Sequence, residues 1–177
     1  IVLKAARYIC SELGNEIAIY GLVTGPFTLA LHLMGTDVFY EMADDPDKVH
    51  EVMKFCKEVC INTSRMYIDA GADVIAVVDP MISQISPDNF SEFVAPYSTG
   101  VFEYIRSLDK ASSFFVCGNA KNNIEEMCKC RPDGISIDEN IPLEYVREVC
   151  SKYNVSVGGN IKLTVTSADG TILPVGG

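Results

Sequence analysis

Residues 73–80 read Asp73-Val74-Ile75-Ala76-Val77-Val78-Asp79-Pro80, an apolar run rich in β-branched side chains that stops abruptly at an aspartate and a proline. The run is too short for a helix and predicts a strand over 73–78. It shows no alternation with charge, as expected of a parallel strand in a sheet covered by helices. Upstream, Asp45-Pro46 offers an N-cap followed by proline at the first helical position. Val49, Val52, Met53, Cys56, Cys60, Thr63 and Tyr67 then recur at three- and four-residue steps until Gly71, which predicts one long amphipathic helix. Downstream, Ser86-Pro87 opens a second helical pattern through Phe90, Phe93 and Val94, and Pro96 is expected to kink or restart it before Val101, Tyr104, Ile105 and Leu108.

Four further runs resemble 73–78 and lie at 17–23, 112–117, 134–138 and 155–158, while shorter helical patterns occupy 26–34, 37–43, 122–130 and 142–152. Strand and helix therefore alternate along the chain, the signature of consecutive right-handed βαβ units and of an α/β fold. Almost every run ends in polar or turn-forming residues: Thr24-Gly25, Asp79-Pro80, Cys117-Gly118-Asn119, Asp138-Glu139 and Gly159-Asn160. Polar side chains ringed around the carboxyl ends of successive strands are how barrel enzymes build their sites. No glycine-rich phosphate loop argues for a nucleotide fold. A closed barrel typically takes about 250 residues and eight strands; five strands in 177 residues predict a partial (β/α)8 TIM barrel, about five consecutive βα units over 1–161, followed by an irregular or hairpin-like tail over 162–177.

Composition narrows the function. The chain is 48% hydrophobic and 21% charged, as in a globular domain. Its 14 Lys and Arg against 24 Asp and Glu give a net charge of −10, which makes nucleic acid and anionic membranes poor partners. No stretch approaches the ~18 apolar residues of a membrane span, and the first residues lack the features of a signal peptide, so a cytoplasmic location is expected. The seven cysteines fit reduced thiols better than a disulfide framework.

The motifs Thr24-Gly25-Pro26-Phe27-Thr28-Leu29-Ala30, Ala70-Gly71-Ala72-Asp73-Val74-Ile75 with Asp79-Pro80, Ile85-Ser86-Pro87-Asp88-Asn89-Phe90 to Pro96-Tyr97, Val116-Cys117-Gly118-Asn119, Ser136-Ile137-Asp138-Glu139 and Gly158-Gly159-Asn160 come in the order found in the uroporphyrinogen decarboxylase superfamily. The chain resembles that superfamily over 1 to about 161. The resemblance implies a (β/α)8 barrel and an enzyme. It also implies two activities to choose between: decarboxylation of a tetrapyrrole in porphyrin biosynthesis, or methyl transfer from a corrinoid protein to a thiol or similar acceptor. In the decarboxylases a tyrosine that contacts the porphyrinogen follows Thr-Leu-Ala by two residues, where this chain has His32, and a serine follows the Asp of the second motif, where it has Pro80. Thr-Gly-Pro-Phe-Thr-Leu and Asp-Pro followed by Ile-Ser-Pro look more like the methyltransferase branch, methylcobamide:coenzyme M methyltransferase being its type. A non-catalytic paralogue that binds a corrinoid protein is a third reading.

The methyltransferase resemblance implies zinc, held by a His-x-Cys pair at a strand end and a distal Cys, because a metal with one open position deprotonates a bound thiol near neutral pH. Cys117 matches the family Cys, and Phe115 stands where the His should be. Asp79, Asp138 and Glu139 are candidate catalytic carboxylates at strand ends, and His32, Asn119 and Asn160 are candidate substrate-binding residues. Each also has a structural reading. Cys117 can be a small buried hydrophobe, Asp79-Pro80 a turn device or the cap of the next helix, and His32 a packed core histidine. Cys56 and Cys60 are expected in the core, Cys128-x-Cys130 lacks a second pair at finger spacing, and His50 is expected at the solvent. An open five-strand barrel leaves edges and apolar surface uncovered, so the chain alone is expected to fold poorly.

Overall fold

The run at 73–80 forms β2, Val74–Val78, flanked by β1, Tyr20–Thr24, and β3, Ala111–Val116, in a computed structural model that describes residues 2–159 together with the backbone of 164–166 and 172–174. With β4, Gly134–Ile137, and β5, Ser156–Gly159, these strands make one sheet in the order β1-β2-β3-β4-β5, every pairing parallel. Sequential order without a switch point is the wall of a barrel rather than a doubly wound sheet.

Alternation along β1 sets the two faces: Gly21 and Val23 are buried, whereas Tyr20 and Leu22 are 55% and 59% exposed. The register carries the buried set across the sheet through Ile75, Val77, Phe114, Val116, Ile135 and Ile137, all packed in the core beneath the helices. The opposite face carries Tyr20, Leu22, Ala76, Ser113, Phe115 and Ser136 around an open hollow of about 350 Å³ with no helix residue in its lining. The helices therefore cover one face only. The other is the inner surface of a barrel wall.

The helical layer follows the local signals. Asp45 accepts a hydrogen bond from Lys48 N (3.3 Å) at the start of the long helix Pro46–Asp69, and Pro46 sits in the first turn where its missing N–H is no loss. This helix is the fourth, α4, preceded by α1 (Val2–Leu13), α2 (Pro26–Met34) and α3 (Val38–Asp44). Sequence reading did not assign α1, although Val2, Ala6, Ile9 and Leu13 recur at helical spacing. Ser86 caps the next helical run by accepting from Asn89 N (3.2 Å). That run comprises α5 (Pro87–Asn89), a π turn over Phe90–Val94 and α6 (Ala95–Ser107). The restart expected at Pro96 thus takes the form of a π turn just before it. Two shorter helices, α7 (Ile124–Lys129) and α8 (Leu143–Lys152), lie on either side of β4 in the sequence. In the tail, β6 (Thr164–Thr166) pairs antiparallel with β7 (Ile172–Pro174).

Cys56 and Cys60 continue the buried stripe of α4, where burial pushes their thiols up to about 11 and 12. The placement of His50 differs from expectation. Its Nδ1 lies 2.8 Å from Tyr97 OH and its ring stacks on Phe93 with centroids 4.9 Å apart, because α6 packs against this side of α4. Among the described residues no helix is long and apolar enough to cross a membrane.

Candidate active site

The carboxyl ends of β1 to β4 meet in a network of loops, and its most buried member is Asp79. Its carboxylate has no exposed surface and accepts hydrogen bonds from Phe27 N (3.0 Å), Thr28 N (2.8 Å) and Thr28 Oγ1 (2.6 Å). These donors belong to the first turn of α2, whose free N–H groups favour an anion. Asp79 therefore caps α2 from the neighbouring strand, not the helix that follows it in sequence. Gly25 is required beside it, since a Cβ there would collide with the Asp79 carboxylate. Burial pushes the Asp79 carboxyl up to about 6, against the three hydrogen bonds that pull it down.

At the ends of β3 and β4, Asp138 accepts from Gly118 N (2.6 Å), Asn140 N (2.9 Å) and Asn140 Nδ2 (2.9 Å), which ties the two strand-end loops together. Gly118 has φ +81°, a conformation that suits glycine, and it packs beside Ser83 of the loop after β2. Partial burial pushes the Asp138 carboxyl up, but these hydrogen bonds outweigh it and hold the group below its ordinary value. A carboxyl with a lowered folded pKa stabilises the fold above the usual carboxylate range and loses that contribution as the pH falls. Replacement Asp138→Ala is expected to cost about 1–2 kcal/mol in urea denaturation at pH 7, and less as the pH falls below the usual carboxylate range. Equal costs above and below that range would refute this role.

Cys117 is half-buried at the end of β3, and burial together with the charges of Asp138 and Glu139 pushes its thiol up. Glu139 and Asn119 are exposed, and Asn119 Oδ1 accepts from Lys121 N (3.3 Å). His32 is exposed on α2 and borders a cleft of about 320 Å³ with Leu22, Thr24, Thr28, Val78 and Pro80. The structure thus brings Cys117, Asp138 and Glu139 together, sets His32 across the mouth at the β1–β2 side, and turns Asp79 away into α2. Asn160 lies outside the described residues.

Sequence reading missed Asn123, which is buried and donates through Nδ2 to Ile82 O (2.7 Å) and Ile85 O (2.9 Å), fastening the loop after β2 to the loop after β3. Nothing in a lone asparagine inside a helical pattern signals such a partner. Among the described residues no group of three His, Cys, Asp or Glu side chains is placed to hold a metal. Cys117 is a single donor, and Phe115 two residues earlier supplies no ligand atom. Of the three zinc ligands that the resemblance implies, the described residues hold one matching position, Cys117.

Five parallel strands in sequential order, helices on one face and polar residues gathered at the carboxyl ends define a segment of a (β/α)8-barrel protein. The chain belongs to the uroporphyrinogen decarboxylase family, whose model matches residues 1–169. It is 26% identical over 173 residues to the methylcobamide:CoM methyltransferase MtbA of Methanosarcina acetivorans, an alignment covering 97% of this chain and 50% of that protein. It is 28% identical over 159 residues to a uroporphyrinogen decarboxylase of Synechococcus, covering 84% of this chain and 44% of the relative. A solved methyltransferase from Methanosarcina mazei superposes with a TM-score of 0.81 at 26% identity, over 89% of this chain and 47% of that one. The chain spans about half the length of these relatives. Identity alone does not separate the two activities.

Proposed function

We propose that the chain forms part of the mouth of a methyltransferase that moves a methyl group from a corrinoid held by a partner protein to a thiol acceptor. The observation that carries this reading is the lining of the cleft between the ends of β1 and β2. His32 and Pro80 border it, at the two positions where the decarboxylases place a tyrosine and a serine against the porphyrinogen. The charge of the mouth supports the same choice. Uroporphyrinogen is a polycarboxylate and calls for cations. Among the described residues, the loops that follow β1 to β4 carry one, Lys121, and its ammonium sits over the Tyr145 ring, 4.9 Å from the centroid, with Asp138 and Glu139 nearby in the same loops. A methyl group on a corrinoid makes no such demand.

In this reaction the acceptor sulfur, as thiolate, attacks the methyl carbon. The carbon–cobalt bond breaks, its electron pair stays on cobalt, and the thiol proton passes to water. Cys117, raised by burial and two carboxylates, stays a thiol at neutral pH and is not the attacking sulfur. The test incubates the full-length protein with methylcobalamin and 2-mercaptoethanesulfonate and follows loss of the methyl-cobalt absorbance and formation of the thioether. Catalysed thioether formation is expected. His32→Ala is expected to raise the acceptor KM about tenfold, the loss of one contact worth ~1.4 kcal/mol. Carbon dioxide release from uroporphyrinogen without thioether formation would overturn the proposal, as would retention of a methylated corrinoid protein with no turnover.

A further inference from the structure

Away from the mouth, the core beneath the helical layer holds a pair of thiols that the proposed reaction does not use. Cys128 on α7 and Cys150 on α8 are both buried, and their Sγ atoms lie 3.6 Å apart. Closing to a disulfide, at about 2.05 Å, asks for an approach of roughly 1.5 Å, within reach of side-chain rotation on two packed helices. We infer that Cys128 and Cys150 are a built-in dithiol that oxidises to an intramolecular disulfide in the folded protein, clamping α7 to α8.

Three features favour this pair over the other five cysteines. Among the described residues Cys128 and Cys150 are the one cysteine pair whose sulfurs meet at hydrogen-bond distance. The two thiols share a hydrogen bond in which either sulfur can donate, so a thiolate formed at one is stabilised by the S–H of the other; this lowers the Cys150 pKa and suits Cys150 as the attacking sulfur with Cys128 as its resolving partner. The pair also lies close to the surface, near the contact between Tyr153 OH and Glu125 Oε1 (2.6 Å) that joins the ends of the same two helices. Local opening of this contact admits a small oxidant.

With hydrogen peroxide as the oxidant, the Cys150 sulfur attacks one peroxide oxygen, the O–O bond breaks and the leaving oxygen departs as water, which gives a sulfenic acid. The Cys128 sulfur then attacks the sulfenic sulfur, the S–O bond breaks and a second water leaves with the thiol proton. Two thiols are oxidised by two electrons and one peroxide is reduced to two waters. The closed loop contains the whole of β4 and the segment with Asp138 and Glu139, so the bond braces the strand that supplies both carboxylates to the mouth. The inference concerns the thiols alone and stands whether or not the proposed methyl transfer is correct.

The experiment treats the full chain with hydrogen peroxide under native conditions, blocks remaining thiols and maps the peptides by mass spectrometry. The expected result is loss of two of the seven thiols, a cross-linked Cys128–Cys150 peptide lighter by two hydrogens, a raised Tm, and full reversal by dithiothreitol. Cys150→Ser and Cys128→Ser, nearly isosteric, are each expected to abolish the cross-link, so a folding failure in one leaves the other as the control. Oxidation of both residues to sulfinic or sulfonic acid without a cross-link would overturn the inference. So would a cross-link that forms only after denaturation in urea, or prior consumption of Cys117 or Cys10 while Cys128 and Cys150 stay reduced.

Discussion

Replacement Asp79→Ala is expected to lower the unfolding free energy by about 3 kcal/mol at pH 7, because it leaves three donors at the start of α2 without an acceptor in a site closed to water. Against the 5–15 kcal/mol that holds a typical domain together, such a loss is a large fraction. The measurement is the urea midpoint at constant m-value, and a change below about 1 kcal/mol would show that α2 does not depend on this cap. The same carboxyl gives a pH signature. It titrates near 6 when folded and near 3.8 in its ordinary state, so the folded protein holds this proton more tightly. The proton-linked part of its contribution is complete below pH ~4 and is lost as the pH rises through about 6, while the hydrogen bonds from α2 remain. About 3 kcal/mol of relative stability is at stake, from two pKa units at 1.36 kcal/mol each. The stability of the wild type relative to Asp79→Asn is therefore expected to fall between pH 4 and pH 7. A difference independent of pH would overturn the assignment.

Phe114→Ala is expected to cost about 4 kcal/mol, the usual penalty for emptying the site of a buried phenylalanine. Phe114 is fully buried at the centre of the sheet. Its ring lies 5.1 Å from that of Phe102 on α6 and 6.3 Å from that of Phe90 in the π turn, so one side chain fastens two parts of the helical layer to β3. Phe114→Leu keeps most of the volume and is expected to cost under about 1.5 kcal/mol. Thermal and urea denaturation of the pair measure the difference. Similar costs for Ala and Leu would mean that the aromatic cluster collapses around the gap and contributes little.

The strands were legible because each is a short β-branched run ended by turn residues, and the helices because their caps are local. Asp45 and Ser86 do what their positions before Pro46 and Pro87 announce. Helix α1 carries its signal in apolar spacing alone, Val2, Ala6, Ile9 and Leu13, with no proline or capping residue to mark its start. The π turn left no mark, because Phe90, Phe93 and Val94 fit an ordinary helical stripe equally well. At the mouth, the strand-end positions of Cys117, Asp138 and Glu139 were visible in one dimension. The partners of Asp79 and Asn123 were not. An N-cap normally precedes its helix by one residue, whereas Asp79 follows Thr28 by 51, and only the parallel pairing of β1 with β2 brings the two together. The pairing of Cys128 with Cys150 was hidden for the same reason.

The distant cap on α2 also sets an order of events during biosynthesis. When residues 26–34 leave the ribosome, the carboxylate that satisfies their first N–H groups has not yet been made. At 5–20 residues per second, the 51 residues between Thr28 and Asp79 take roughly 3–10 s to translate. For that interval α2 has neither its cap nor the strand that supplies it, and a nine-residue helix is marginal alone in water. The segment around His32 is therefore exposed nascent chain until β2 arrives, and the rim of the mouth is completed from its second strand backward.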